Sequence, residues 1–175
     1  MDARRLSQDE LYAQAAADFG PAIGRLARAY ERNPDRQRDL LQDIHFALWR
    51  SFESYEGRAS LRTWVYRVAH NTATSHVLKD QRARTSHWVD LDAAADAPDP
   101  ASHAEAVEES DLLDRLMALI RQLKPPDRQM MLLYLDDLDA AAIGEITGLS
   151  AGAVATKIHR IKAVLAKRFN SSSDA

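Results

Sequence analysis

The sequence contains no cysteine among its 175 residues, which excludes both a disulfide framework and a thiolate metal site. No apolar run approaches the roughly 20 residues that a membrane-spanning helix needs. The first ten residues lack the apolar core of a signal peptide. Strand patterns are weak, and proline occurs only at punctuation points. We therefore predict an all-α protein that acts in a reducing cytoplasm and does not insert into a membrane.

The sequence also lacks the signatures of common enzyme sites. None of the six histidines forms a His-Glu-x-x-His pair, and all six glycines are isolated, so no phosphate-cradling loop is present. No serine lies in a Gly-x-Ser-x-Gly elbow. We therefore expect no catalytic residue, no metal, no cofactor and no small-molecule substrate, and the sequence predicts a binding protein.

The net charge of −3 hides an uneven distribution of charge. Residues 1–85 carry 14 basic and 11 acidic side chains, and residues 112–175 carry nine basic and seven acidic ones. Residues 86–111 carry eight acids and no base. Two mildly basic modules therefore flank an acidic segment, which is compatible with DNA binding despite the negative total.

The most informative stretch runs from residue 39 to residue 71. Leu41, Ile44 and Leu48 recur at helical spacing and predict the buried side of a first helix. The opposite side, called the docking face below, combines carboxylates, an amide and two large aromatics: Asp39, Gln42, Asp43, Phe46 and Trp49.

A short turn at residues 55–59 separates this helix from a second one. Gly57 permits the turn, and Ser60 can cap the helix that follows. The pattern predicts a buried side with Leu61, Trp64, Val65, Val68 and Thr72, and an open side with Arg67, His70, Asn71 and Thr74. Periodicity alone would equally suit two packed helices of an ordinary bundle.

The residues DLLQDIHFALW, the EGRAS turn and LRTWVYRVAHN closely resemble the core of bacterial RNA polymerase sigma factors of the small extracytoplasmic-function (ECF) type. The resemblance implies that the docking face binds the clamp helices of the largest polymerase subunit. It also implies that the turn and the second helix recognise the −10 promoter element. The implied −10 contacts are Tyr55, Glu56, Gly57, Arg58, Ala59, Ser60, Arg62, Asn71, Lys79 and Arg82. The basic side chains at 79–84 would equally suit a solvated helix end that complements the helix dipole.

Residues 86–110 predict a flexible acidic linker, because they contain prolines and lack a sustained apolar stripe. The predicted domains are therefore residues 1–85 and 111–170, with a polar tail at 171–175. The second domain begins with a predicted helix at 111–123, whose apolar side includes Leu112 and Leu113, and a second helix that ends near Leu135.

The pattern from residue 140 to residue 170 is typical of a helix-turn-helix. A short helix at 140–147 precedes Gly148, which suits a left-handed turn, and Leu149, which we expect to plug the corner. Ser150 can cap the next helix, which has five bases and no acid from residue 151 to residue 170. Its predicted core stripe is Val154, Ile158, Ile161 and Leu165.

This segment resembles the C-terminal domain of ECF sigma factors, which reads the −35 element. In such a domain the N-terminal residues of the recognition helix lie in the major groove. The implied contacts are Ser150, Ala151, Gly152, Ala153, Ala155, Thr156, Lys157, His159 and Arg160. A basic C-terminal helix on an ordinary bundle is the plain alternative.

The sequence thus predicts an ECF-type sigma factor that binds RNA polymerase core and promoter DNA, with an anti-sigma partner implied by the resemblance alone. The main alternative is a one-component helix-turn-helix regulator with an N-terminal ligand or dimerisation domain. Such a domain gives no reason for the docking face. An adaptor that binds only proteins would leave the basic recognition helix unexplained.

Overall fold

The computed structural model describes residues 6–81 and 109–171, and the statements that follow concern those residues. The chain divides into two compact units, residues 1–84 and 85–175. The described ranges form seven α-helices and one 3₁₀ turn, which confirms the all-α prediction. Arg82, residues 86–108 of the predicted linker and residues 172–175 of the predicted tail lie outside the described ranges.

The first unit contains three helices: α1 (Gln8–Tyr30), α2 (Pro34–Ser51) and α3 (Leu61–Gln81). Ser7 and Glu10 form a capping box at the start of α1, and Asn33 caps α2 directly before Pro34. The 3₁₀ turn Phe52–Ser54 extends the end of α2. Pro21 lies inside α1 without ending it.

The buried side of α2 differs from the predicted one at its first position, whereas Ile44 and Leu48 are buried as predicted. Leu40, Ile44 and Leu48 are fully buried at i, i+4 and i+8, whereas Leu41 is only half-buried. The prediction for Leu41 was therefore wrong. Leu40 and Leu41 are both compatible with a helical apolar stripe, and sequence spacing does not show which of them lies at its centre and which at its edge.

The helix α3 packs against both α1 and α2, so its buried surface is wider than a single stripe. The prediction that His70 lies on the open side was wrong, because His70 is buried and its Nδ1 lies 3.2 Å from the Tyr30 hydroxyl in a hydrogen bond. Val65 is buried as predicted. The predictions for Leu61, Trp64, Val68 and Thr72 were wrong in the same sense as that for Leu41, because all four are only half-buried. The other buried side chains of α3 are Thr63, Tyr66, Ala69 and Ala73.

The second unit contains α4 (Glu109–Gln122), α5 (Pro125–Leu135), α6 (Ala140–Thr147) and α7 (Ala151–Ser171). The helix α4 begins two residues before the predicted Asp111. Leu112 and Leu113 are 41% and 59% exposed, so the prediction that they are buried was wrong. The buried residues lie at the other end of α4: Ile120 in its last turn and Leu123 directly after it, where α4 meets α5 and α7.

The helix-turn-helix has the predicted elements and caps. Gly148 adopts φ 78° at the end of α6, and the Ser150 hydroxyl accepts a hydrogen bond from the Ala153 amide at 3.2 Å. Leu149 does not plug the corner, since its side chain is 41% exposed. The close contact is made by its backbone instead: a Cβ at Gly144 would lie 2.6 Å from the Leu149 carbonyl oxygen.

Candidate functional site

The docking face lies on the solvent side of α2. All five of its residues are exposed, and Phe46 and Trp49 remain 63% and 40% exposed despite their size. The core of the unit is filled from the other side of α2, by Leu40, Ile44 and Leu48. Large exposed aromatics beside charged groups are typical of a protein-binding surface.

Trp49 is held by the first turn of α1. Its indole nitrogen donates a hydrogen bond to Asp9 Oδ1 at 2.9 Å, and its carbonyl oxygen accepts one from Gln8 Nε2 at 2.8 Å. The capping box orders this turn, and hydrogen bonds from Ser7 lower the pKa of Glu10. Sequence analysis missed Gln8 and Asp9, although the capping pattern Ser-x-x-Glu was readable.

A second contact between α1 and α2 lies beneath the docking face. The Tyr12 hydroxyl and His45 Nδ1 are joined by a hydrogen bond of 3.1 Å. Burial lowers the pKa of His45, which favours the neutral imidazole at neutral pH. The hydrogen bond between Tyr12 and His45, which joins α1 to α2, therefore does not require a protonated His45.

The turn before α3 is closed by its own side chains. The Tyr55 hydroxyl donates to the Ala59 carbonyl oxygen at 2.8 Å, and its ring centroid lies 5.2 Å from that of Trp64. Trp64 in turn donates its indole N–H to Ser51 Oγ at 2.9 Å. Gly57 adopts φ 75°, as its predicted turn role requires. The backbone of the turn is therefore ordered before any ligand binds.

The turn and the outer side of α3 carry the exposed groups of the predicted −10 surface. Arg58 is paired with Glu56 at 2.7 Å and its side chain is 87% exposed, while Arg62, Asn71 and Lys79 are exposed along α3. The Ser60 hydroxyl is directed to Thr63, whose amide it caps at 3.1 Å. Asn71 lies ten residues after the start of α3, about 15 Å along the helix axis. The turn and Asn71 are therefore separate patches.

An ion-pair cluster fixes the end of α3 that carries Lys79. Arg36 binds Glu31 at 3.2 Å and Asp80 at 2.7 Å, and the Asp80 carboxylate raises the pKa of Arg36. His76 Nε2 lies 3.4 Å from the same Glu31 carboxylate. The cluster joins the end of α1, the start of α2 and the last turns of α3.

The outer side of α7 combines small residues with a few polar ones. Ala151, Gly152 and Ala153 are exposed at its N-terminus, so a partner could approach the backbone closely. Further along, Ala155, Thr156, His159 and Arg160 are exposed. Lys157 differs from these residues, because its Nζ lies 2.9 Å from Asp127 Oδ1 on α5.

The described residues carry no group of three or more histidine, aspartate and glutamate side chains that could hold a metal ion. No helix in the same ranges is long and apolar enough to cross a membrane.

Two family models match the chain, one on each unit. The model described as Sigma-70 region 2 matches residues 16–83, and the model described as Sigma-70, region 4 matches residues 113–165. The first match covers most of α1, α2 and α3, and the second covers α5, α6 and most of α4 and α7. Together they cover more than half of the chain.

Known proteins align with the chain over most of its length. The chain is 26% identical over 148 residues to the ECF RNA polymerase sigma factor SigW of Bacillus subtilis, which covers 78% of this chain and 76% of that protein. It is 27% identical over 131 residues to the ECF RNA polymerase sigma-E factor of Escherichia coli, which covers 71% and 69%.

Solved structures confirm the fold. The sigma factor RpoE of Bartonella quintana, in complex with the anti-sigma factor NepR, matches with a TM-score of 0.68 and 19% identity over 94% of this chain and 98% of that one. CnrH, in complex with the cytosolic domain of CnrY, matches with a TM-score of 0.66 and 19% identity over 94% and 90%.

Proposed function

The chain belongs to the sigma-70 family as an ECF-type RNA polymerase sigma factor, and we propose that its two units divide promoter recognition between them. The observation that carries the proposal is the presence of region 2 and region 4 in one chain, each on its own compact unit. A factor of this family binds RNA polymerase core and directs initiation at specific promoters. The polymerase performs the chemistry, so the proposal gives this chain no enzymatic step.

The docking face is the proposed polymerase-binding surface. Phe46 and Trp49 would supply buried apolar area at the interface, where aromatic anchors contribute most of the binding energy. Asp39, Asp43 and Gln42 would supply charge and hydrogen bonds at the rim, where they steer association. The exposure of both aromatics in the free chain supports this assignment.

The turn at 55–60 and the outer side of α3 form the proposed −10 surface. Arg58, Arg62 and Lys79 would bind phosphates, which position a strand without reading its sequence. Tyr55 and Asn71 would interact with unpaired bases by stacking and hydrogen bonding. Since Asn71 lies about 15 Å along α3 from the turn, we propose that the two patches contact different nucleotides of one displaced strand.

The helix-turn-helix is the proposed −35 surface. Ser150, Ala151, Gly152 and Ala153 would let the start of α7 approach the DNA backbone. Arg160 and His159 are the exposed groups best suited to hydrogen-bond base edges or phosphates in the major groove, and Ala155 and Thr156 would line the same side. Lys157 differs from these residues, because it is paired with Asp127.

An anti-sigma factor is the proposed regulatory partner. Both solved relatives are in complex with a second protein, one of them named as an anti-sigma factor. A partner of this kind would act by covering the docking face or the DNA-contacting side of α7. The one-component regulator is not favoured, because residues 16–83 match sigma region 2 and leave no ligand domain in the first unit.

Sequencing of transcript 5′ ends after overexpression of the chain separates a sigma factor from a regulator. A sigma factor creates new start sites, and the DNA upstream of them shares two short elements at fixed spacing. A regulator changes the yield from existing start sites. An overexpressed chain that creates no new start site would contradict the proposal.

A further inference from the structure

An ion pair joins the recognition helix to α5, in addition to the hydrogen bond between Lys162 of α7 and Tyr134 of α5. Lys157 lies in the second turn of α7, and its Nζ is 2.9 Å from Oδ1 of Asp127 in the first turn of α5. The two side chains differ in exposure: that of Asp127 is 6% exposed and that of Lys157 is 39% exposed. The pair therefore reaches from the core of the second unit to the edge of its proposed DNA-binding side.

The buried carboxylate depends on this lysine. Within the described part of the chain, no donor is aligned with Asp127 Oδ1 in hydrogen-bond geometry. A buried charge without compensation is strongly unfavourable, and removal of one partner of a buried pair leaves such a charge behind. The Lys157 ammonium is the group that offsets this oxygen.

The position of Lys157 on α7 fits this task. Its neighbours Val154 and Ile161, three residues before and four after, are fully buried against the core. Thr156, His159 and Arg160 are exposed on the other side. Lys157 thus stands on the flank of α7, where its stem can follow the packed surface and bring the ammonium group to α5.

We infer that Asp127 and Lys157 set the placement of the recognition helix on α5, so that Lys157 is a positioning residue for −35 readout and not a phosphate contact. The inference rests on the proposed function, since it takes α7 as the helix that enters the groove. It assigns Asp127 to the recognition machinery, although Asp127 lies away from the DNA-contacting side. It leaves direct readout to Arg160 and its exposed neighbours.

The two roles predict different salt dependences. A lysine that binds a phosphate contributes to affinity for every DNA sequence, and its loss lowers the slope of log K against log salt by about one. A positioning lysine contributes to the specific complex, because helix placement matters only where base edges are read. Its loss lowers the ratio of specific to non-specific affinity and leaves the salt slope unchanged.

The experiment uses the full chain bound to polymerase core. It measures the affinity of this complex, as a function of salt, for a promoter fragment found by start-site mapping and for the same fragment with a scrambled −35 element. The variants are Lys157→Met, Asp127→Asn and the double variant, with Lys167→Met, at an exposed lysine near the end of α7, as the matched control. We expect Lys157→Met to lower the specific-to-scrambled ratio about tenfold with an unchanged slope. Because either single change already breaks the pair, the double variant should show the same lowered ratio as Lys157→Met, and Lys167→Met should preserve the ratio.

Two results would overturn the inference. One is a slope reduced by about one in Lys157→Met, with affinity for both fragments reduced alike. The other is additivity of the two single changes in a thermal unfolding cycle of the free chain, since a working ion pair gives non-additive effects. The unfolding cycle uses no DNA, so its result tests this inference independently of the proposed function. The proposed function fails if the wild-type complex binds the two fragments equally.

Discussion

The indole nitrogen of Trp49 donates a hydrogen bond to the Asp9 carboxylate, 2.9 Å away, and so joins the first turn of α1 to the last turn of α2. Gln8 contacts the carbonyl group of the same tryptophan. One residue of the docking face is thus oriented by two residues that are 40 and 41 positions earlier in the chain.

Asp9→Ala should weaken the binding of polymerase core without unfolding the first unit. The hydrogen bond favours the observed orientation of Trp49 by about 0.5–1.5 kcal/mol, so its loss should lower the affinity by at most about tenfold. Titration of labelled chain with core polymerase measures the effect, and Asp18→Ala, an exposed acid on the same helix, is the control. Equal affinities for Asp9→Ala and wild type would show that Trp49 needs no such support.

Asn71→Ala should lower open-complex formation much more than core binding. The side chain is exposed on the proposed −10 surface, and the loss of a hydrogen bond from its amide to an unpaired base should cost about 0.5–1.5 kcal/mol. The loss should be smaller on a pre-melted template, where the cost of unpairing is already met. Ser75→Ala, one turn further along α3 and also exposed, is the control.

Replacement of residues 56–59 by Gly-Ser should have the same effect through the turn. Unaltered open-complex yields on duplex promoter DNA would mean that the turn is only a connector.

The first unit should lose stability as the pH falls below about 6.5. Burial lowers the pKa of His70 to about 3, whereas an unfolded histidine has a pKa near 6.5. Between these values the unfolded chain binds a proton that the folded chain excludes, so the free energy of unfolding falls by up to about 1.4 kcal/mol per pH unit. Urea unfolding of wild type, His70→Gln and the exposed control His159→Gln between about pH 4.8 and 6.5 measures this term. Parallel pH profiles for wild type and His70→Gln would contradict it.

Gly144→Ala should destabilise the helix-turn-helix. A methyl group at this buried position would meet the Leu149 carbonyl oxygen at 2.6 Å, and a backbone atom cannot move aside without shifting the turn. Forced overpacking of this kind costs about 1–3 kcal/mol. Gly152→Ala is the matched control, because nothing lies within 4 Å of the position that its new methyl group would occupy. Thermal unfolding should show a lower midpoint for Gly144→Ala alone, and equal midpoints would contradict the close approach.

Local signals predicted much of the fold from the sequence. The bounds of α6, the left-handed Gly148 and the Ser150 cap were all predicted, because each depends on residues within one turn of the chain. The exposure of the docking face also followed from helical spacing.

The errors arose where contacts between elements, and not the pattern within one helix, decide burial. His70 is buried because α3 packs on two helices, and Leu149 is exposed because its backbone, and not its side chain, meets α6. The contacts Asp9–Trp49 and Asp127–Lys157 join residues that are 40 and 30 positions apart, and no periodic pattern encodes such a pairing.

The most direct test of the account is run-off transcription with purified polymerase core on duplex promoter DNA, with wild-type chain, Asp43→Arg or Asp18→Arg added. We expect wild type and Asp18→Arg to support initiation at one mapped start site. Asp43→Arg should give a weaker signal that recovers as its concentration is raised, because reversal of a rim charge slows association with the polymerase. Core polymerase that starts no transcript with the wild-type chain would contradict the central claim, and equal activity of all three chains at limiting concentration would contradict the docking face.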